Sequence, residues 1–223
     1  MTAPTSYSSV AALAARKQGL IRVAQDAALF AAPLSADPII ALTTGAGGDL
    51  NPLPTGWGSL GHHTESDGID WTRKVTTFDV KSHGSSQPTR RDITEDVTDL
   101  KVLAQESKRM TSEIFHSVDL SAVAPDATTH EIGFERAVVA STTYYRLLAI
   151  ASDGRDDNLI YFARFCPRAS VTNFGPQPWK KGEELRYEFT FTGYVDDTLG
   201  FAMREMWGGP GIADLLTDMG YTA

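Results

Sequence analysis

Between Leu185 and Val195 the chain alternates strictly. Leu185, Tyr187, Phe189, Phe191 and Val195 share one parity; Arg186, Glu188, Thr190 and Thr192 share the other. A period of two over that length is a half-exposed antiparallel strand, and such a strand needs neighbours on both edges and a layer beneath its apolar face. Two further strands precede it, Tyr144 to Ala151 and Leu159 to Arg168, joined through an Asp153-Gly154 turn and a polar loop ending at Asn158. The second carries apolar residues on both parities: Leu159, Tyr161, Ala163 and Phe165 on one, Ile160, Phe162 and Cys166 on the other. It is expected to be central and covered on both faces. A last strand, Phe201 to Trp207, runs into Gly208-Gly209-Pro210-Gly211, followed by a short amphipathic segment with Ile212, Leu215, Leu216 and Met219.

Upstream the β pattern is less regular. In residues 69–81, Val75 points one way and Phe78 and Val80 the other. In residues 93–104, Ile93 and Val97 share one parity and Leu100, Val102 and Ala104 the other. A strand with one buried face cannot change parity, so each segment needs a bulge or must pass from one packed layer to another. Ser82 to Asp92 between them reads as the exposed tip of a long hairpin. One helix is predicted near 107–120, capped at Ser107, with Met110, Ile114 and Val118 on the face that packs against the sheet. The sum is all-β with one flanking helix, a β-sandwich or barrel.

Four regions follow. Residues 1–32 read as an N-terminal arm and a first strand over Leu20 to Phe30. Residues 33–61 read as a long loop rich in Gly and Pro, with no core of its own and ordering on assembly. Residues 62–211 form the β core, and 212–223 a C-terminal segment. Arg16, Lys17, Arg22 and Asp26 interrupt anything that could be a signal peptide, and no run approaches the about 18 apolar residues of a membrane helix.

Little in the sequence points to catalysis. The net charge is −8, from 20 basic and 28 acidic residues, the reverse of a phosphate-gripping surface. The one cysteine, Cys166, sits in an apolar strand and excludes a disulfide framework. His62 and His63 lie beside Glu65 and Asp67, but adjacent side chains on an extended segment diverge. Gly45-Ala46-Gly47-Gly48 lacks the Lys-Ser/Thr of a P-loop. The carboxylate clusters Asp92, Glu95, Asp96, Asp99 and Asp153, Asp156, Asp157 read as solvated faces. No catalytic residue, metal or cofactor is expected.

The order of the pieces is more informative. Gly56-Trp57-Gly58-Ser59-Leu60-Gly61 is followed by Asp67-Gly68-Ile69, then by Val75-Thr76-Thr77-Phe78-Asp79-Val80. Gly84 and Gln87-Pro88-Thr89-Arg90-Arg91 come next, then Asp92-Ile93-Thr94-Glu95-Asp96-Val97. Glu106-Ser107-Lys108-Arg109 opens the helix, and Arg204-Glu205-Met206-Trp207-Gly208-Gly209-Pro210 closes the β region. In this order, over residues 56–211, the chain resembles the major tail tube proteins of long-tailed bacteriophages, in particular the non-contractile, siphophage type. The resemblance implies a β-sandwich or barrel with a flanking helix, a long loop and terminal arms. It implies self-association as hexameric rings stacked into a tube, built around a tape-measure protein and bounded by terminator and distal tail proteins. The tube would pass double-stranded DNA without specific binding, and the protein would belong to the virion after assembly in the host cytoplasm. Since sheet surface lines the tube in that family, Asp79, Glu95 and Asp99 become lumen candidates, the alternative being ordinary outer-surface charges. Two other classes stay open. A monomeric β-sandwich module for carbohydrate or protein would expose an aromatic platform drawn from Trp57, Trp71, Trp179 and Trp207; a hydrolase would need a carboxylate or histidine cleft.

Overall fold

The computed structural model describes residues 9–45, 47–136, 138–139 and 141–221. Residues 1–8 of the expected arm, 222–223 of the C-terminal segment, and Ala46 of the glycine cluster lie outside that set. The elements in chain order are α1 (Val10–Ala14), β1 (Asp26–Pro33), β2 (Thr43–Thr44), β3 (Asp49–Leu50), β4 (Gly58–Ser59), β5 (Ile69–Val80), β6 (Arg90–Ala104), α2 (Arg109–His116), β7 (Tyr145–Asp153), β8 (Ile160–Phe174), β9 (Tyr187–Tyr194) and β10 (Arg204–Gly208). The protein is all-β with a flanking helix.

One antiparallel sheet runs β4-β1-β7-β8-β9-β6-β5, with β10 added to β8. Its two ends belong to one stretch of chain, and they meet. The Leu60 N–H donates to the Leu29 carbonyl (2.9 Å), the Thr64 N–H to Leu103 (3.1 Å), and the Gln105 N–H to His62 (2.8 Å). The sheet therefore closes into a barrel, which removes most of the free strand edge. Leu29, Leu100, Val102, Leu147, Cys166, Phe189 and Phe191 fill its interior. Tyr187, Phe189 and Phe191 of the alternation predicted for β9 face this core, but Leu185 and Val195 lie beyond the strand's ends and are exposed. β8 is covered on both sides as expected, Cys166 facing inward and Phe165 outward.

Besides β8, which runs on to Phe174 instead of ending at Arg168, and β10, which starts at Arg204 instead of Phe201, three features differ from the sequence reading. The first strand starts at Asp26, not Leu20, because Gln18–Leu20 form a 3₁₀ turn and the continuous ladder to β7 begins only at Asp26–Ser152; Ile21 and Val23 are left exposed. The helix is shorter than 107–120. Ser117 adopts a left-handed conformation that ends it, so Val118 lies beyond the helix and is only half-buried, while Met110 and Ile114 pack on the barrel as expected. Ser107 does not cap the helix; its hydroxyl accepts from the Tyr187 hydroxyl (3.3 Å) instead.

The 33–61 loop is the third difference. It lies on the outer face of β1, β7 and β8, where Ile39 and Leu42 are buried against Leu148 and Phe165 and are joined by Leu53 and Trp57. The loop has no core of its own because it uses the sheet's second face. Arg146 pins it: the guanidinium donates to the Ala36 carbonyl (2.9 Å) and the Pro167 carbonyl (3.1 Å), and pairs with Asp196 (3.4 Å). The glycine cluster acquires a packing role here. Gly48 has φ +67°, and a Cβ there would sit 2.7 Å from the Gly209 carbonyl carbon. Gly48→Ala should therefore lower stability by about 1–3 kcal/mol in a denaturant melt. Gly47→Ala, where a Cβ meets only an Asp49 carboxylate oxygen at 3.8 Å, should leave it nearly unchanged.

Candidate assembly surface

β9 pairs with β6 only from Asp99 to Ala104, whereas β5 pairs with β6 along its whole length. Beyond Thr72 and Thr98 the two strands therefore leave the barrel as a two-stranded ribbon. The eight residues of β5 from Arg73 to Val80, at ~3.4 Å each, give it a reach approaching about 30 Å. The register fixes its faces. Arg73, Val75, Thr77 and Asp79 continue the barrel's inward face, opposite Thr98, Asp96, Ile93 and Arg91. Lys74, Thr76, Phe78 and Val80 lie on the other face, opposite Val97, Glu95, Asp92 and Arg90. Between Val97 and Leu100, where the parity changes, the ladder is unbroken; a bulge lies at Thr94, where Glu95 pairs with Thr76 and Ile93 with Thr77. Because of it, Ile93 and Val97 lie on opposite faces despite their shared parity.

The lumen candidates do not share a surface. Asp79 is on one face of the ribbon, Glu95 and Asp99 on the other. Arg91 grips Asp79 through two hydrogen bonds (2.7 and 2.9 Å), and Arg73 grips Asp96 likewise (2.8 and 2.6 Å). Those hydrogen bonds hold both carboxyls below the usual carboxylate range. Glu95 is exposed and accepts only from the Thr76 hydroxyl (3.2 Å). Asp99 is 6% exposed, at the root of the ribbon, where it accepts from the Thr192 hydroxyl of β9 (2.6 Å) and pairs with Lys74 (2.5 Å). Nor is the ribbon acidic: over residues 72–98, Arg73, Lys74, Lys81, Arg90 and Arg91 outnumber Asp79, Asp92, Glu95 and Asp96 by one.

Burial alone would raise the Asp99 pKa, but the Lys74 and Thr192 contacts outweigh it and hold the carboxyl below its ordinary value. A depressed folded-state pKa means that the unfolded chain binds the proton first as pH falls. The stability Asp99 supplies is complete above about pH 5, past the ordinary Asp value of about 3.9, and is lost as pH drops through the lower folded value. Asp99→Asn should flatten the acid limb of melting temperature against pH between about pH 5 and 2. An unchanged limb would show that the pair contributes nothing there.

The ribbon carries large apolar side chains with nothing to pack on. Ile93 is 62% and Phe78 59% exposed, and Val75 and Val80 are exposed as well. A second surface is the long connection from α2 to β7. Every described residue in 124–143 is exposed, including Ile132, Val138 and Val139. It is shaped locally by the Asp126 carboxylate, which accepts from the Thr128 and Thr129 amides, and it touches α2 through Phe134 against His116 (5.2 Å). The sequence reading missed this surface; the signal was the run of nineteen residues between Pro125 and Tyr145 without helix or strand period.

Burial pushes the Cys166 thiol up to about 12, so it is not a nucleophile. Among the described residues no group of three or more His, Cys, Asp or Glu side chains is placed to hold a metal ion. Asp153 is buried and pairs with Arg22 (3.3 Å). The four tryptophans form no single platform. Trp57 donates to the Asp37 carbonyl (2.9 Å), Trp71 lies under Arg164, Trp207 stacks on Phe162, and Trp179 stands alone in solvent. No helix among the described residues is long and apolar enough to cross a membrane. Neither a protein-family model nor a curated protein matches the chain.

Proposed function

We propose that this chain is a self-assembling structural subunit of a phage tail tube, polymerising as stacked hexameric rings that conduct double-stranded DNA. The observation that carries this reading is the β5–β6 ribbon, a two-stranded extension of about 30 Å with apolar side chains on both faces. A two-stranded ribbon is marginal in water by itself. One that exposes Phe78 and Ile93 is the surface of an interface, not of a finished monomer. The resemblance in the order of sequence pieces supplies the architecture, and with it the tape-measure, terminator and distal tail proteins as further partners.

The ribbon's charge pattern suits a conduit. Arg73 and Arg91 each have a carboxylate partner in bidentate geometry, so neither guanidinium is free for phosphate. A wall that carries charge in neutralised pairs, on a subunit of net −8, does not retain DNA. Electron microscopy of the purified protein tests the reading: rings or tubes with sixfold symmetry are expected, and a protein that stays monomeric at every concentration and salt overturns it. A monomeric binding module is the reading favoured by a cavity lined by Trp71, Phe162 and Trp207; it requires saccharide or peptide affinity in a chain that forms no tubes.

A further inference from the structure

The barrel closes over a short seam, and His62 and His63 lie in it. Here the backbone of residues 62–64 is held to the end of β6. The Gln105 N–H donates to the His62 carbonyl, the Thr64 N–H donates to the Leu103 carbonyl, and His63 faces Ala104 between them as an isolated antiparallel bridge. Glu106 completes the clamp: its carboxylate accepts from the His62 N–H (2.7 Å) and pairs with Lys108 (2.8 Å). Gly61 makes room for that carboxylate, with φ +85° and no Cβ to overlap it. On the side of β1 the seam is open. The β1–β4 ladder covers only Phe30–Ser59 and Ala31–Gly58, and Leu60 adds one bond to Leu29. Beyond it, Asp26, Ala27 and Ala28 face Gly61, His62 and His63 across a cavity of about 820 Å³.

His63 suits this position only as a neutral ring. It is half-buried, and its Nδ1 is fully buried with no hydrogen-bond partner. A neutral imidazole tolerates that, because its one proton can sit on Nε2 and leave Nδ1 a bare lone pair. The imidazolium carries an N–H on both nitrogens, so Nδ1 would become a buried donor with no acceptor. The surrounding charges do not offset this. Of the groups that share the cavity, Glu106 is paired with Lys108, Glu205 of β10 with Arg164 of β8, and Glu65 is exposed. Asp67 is engaged by the Thr64 and Ser66 hydroxyls. Asp26 of β1 favours the cation and His62 opposes it, and burial outweighs both, holding the His63 pKa below its ordinary value.

We propose that protonation of His63 opens the seam, so that residues 62–64 part from the end of β6 in mild acid while the rest of the barrel keeps its ladder. The opened state binds the proton more tightly than the closed one. Closure is therefore complete above about pH 6.5, the ordinary histidine value, and weakens as pH falls from there toward the lower closed-state value. The device belongs to the subunit itself and goes beyond the assembly reading. Amide hydrogen exchange of the full chain tests it, read as protection factors so that the intrinsic pH dependence cancels. The Thr64 and Gln105 amides should lose protection between pH 7 and pH 5, while amides of the β7–β8 ladder keep theirs. His63→Phe and His63→Asn, two replacements of different size that do not titrate, should each make seam protection independent of pH over that range. An imidazole titration by NMR should place His63 below about 6.5. A His63 that titrates at or above that value overturns the proposal, as does seam protection that does not change with pH in the wild type. Acid loss that survives both replacements overturns it too, assigning the effect to another group such as His116 of α2, whose pKa burial also lowers. Simultaneous loss throughout the β7–β8 ladder would make the transition global unfolding and not the opening of a seam.

Discussion

Ile114→Asp should leave almost no soluble, folded protein. Ile114 is 0% exposed at the centre of the face that α2 turns to the barrel. The helix is eight residues long and has no side-chain N-cap, so it is held by packing rather than by its own propensity. That packing is specific. Phe115 meets the rings of Phe174, Tyr187 and Phe189 edge-on, at 5.8, 5.3 and 6.0 Å, and Met110 adds its side chain to the same cluster. Loss of the isoleucine costs about 2–5 kcal/mol in transfer and cavity terms. An aspartate in its place must also be protonated or buried without a partner, a further penalty of several kcal/mol. The total approaches the whole stability of a domain, about 5–15 kcal/mol. Ile114→Val, which removes one methylene, should cost about 1 kcal/mol and still purify, separating loss of packing from loss of the helix. A melting temperature for Ile114→Asp within a few degrees of wild type would mean that α2 does not support the barrel.

What was legible in the sequence was whatever depends on neighbours in the chain. The β9 alternation named Tyr187, Phe189 and Phe191 as inward, and all three are buried. The two-sided pattern of β8 announced a strand covered on both faces. The parity break between Val97 and Leu100 called for a bulge or a change of layer, but the ladder is unbroken there: Val97 faces outward and Leu100 inward, and the bulge at Thr94 lies further along the ribbon. What could not be read depends on register between distant segments. Parity alone grouped Glu95 with Asp99, but Asp99 is buried because β9 ends beside it and brings Thr192 within 2.6 Å. Asp79 faces away from both, because it lies three and seven residues along β5 from Thr76 and Thr72, their ladder partners, and an odd separation reverses the face. The parity break in β5 has a different cause from the one in β6. Val75 and Phe78 point oppositely because the ribbon has no buried face at all, a tertiary fact that a single strand does not carry. The 33–61 loop was misjudged for a related reason: its Gly and Pro content describes its backbone, whereas its order comes from the apolar outer face of the sheet, to which Leu148 and Phe165 of β7 and β8 contribute from about a hundred positions away.

Removing the ribbon should abolish assembly while leaving the barrel intact. The cut that preserves the fold joins Lys74 to Val97 through Asn-Gly, because those two residues face each other in the ladder and a two-residue turn matches strand twist. It keeps the Lys74–Asp99 pair and every β6–β9 contact from Asp99 to Ala104. It discards ion pairs that are exposed and so add little to stability, together with Val75, Phe78, Val80 and Ile93, which bury nothing in the isolated subunit. The truncated chain should therefore melt within a few degrees of wild type. If those four side chains are the apolar centre of a contact between copies, their loss removes the burial that drives association, at about 25 cal/mol per Å² of apolar surface. With several such contacts per ring the effect on polymer is all-or-none. Sedimentation should find a monomer at concentrations where the wild type is fully polymerised, and micrographs should show no tubes. Glu95→Lys in the full chain supplies the contrast: an exposed charge with one weak partner should leave assembly unaffected. Tubes of normal length from the truncated chain would move the interface off the ribbon.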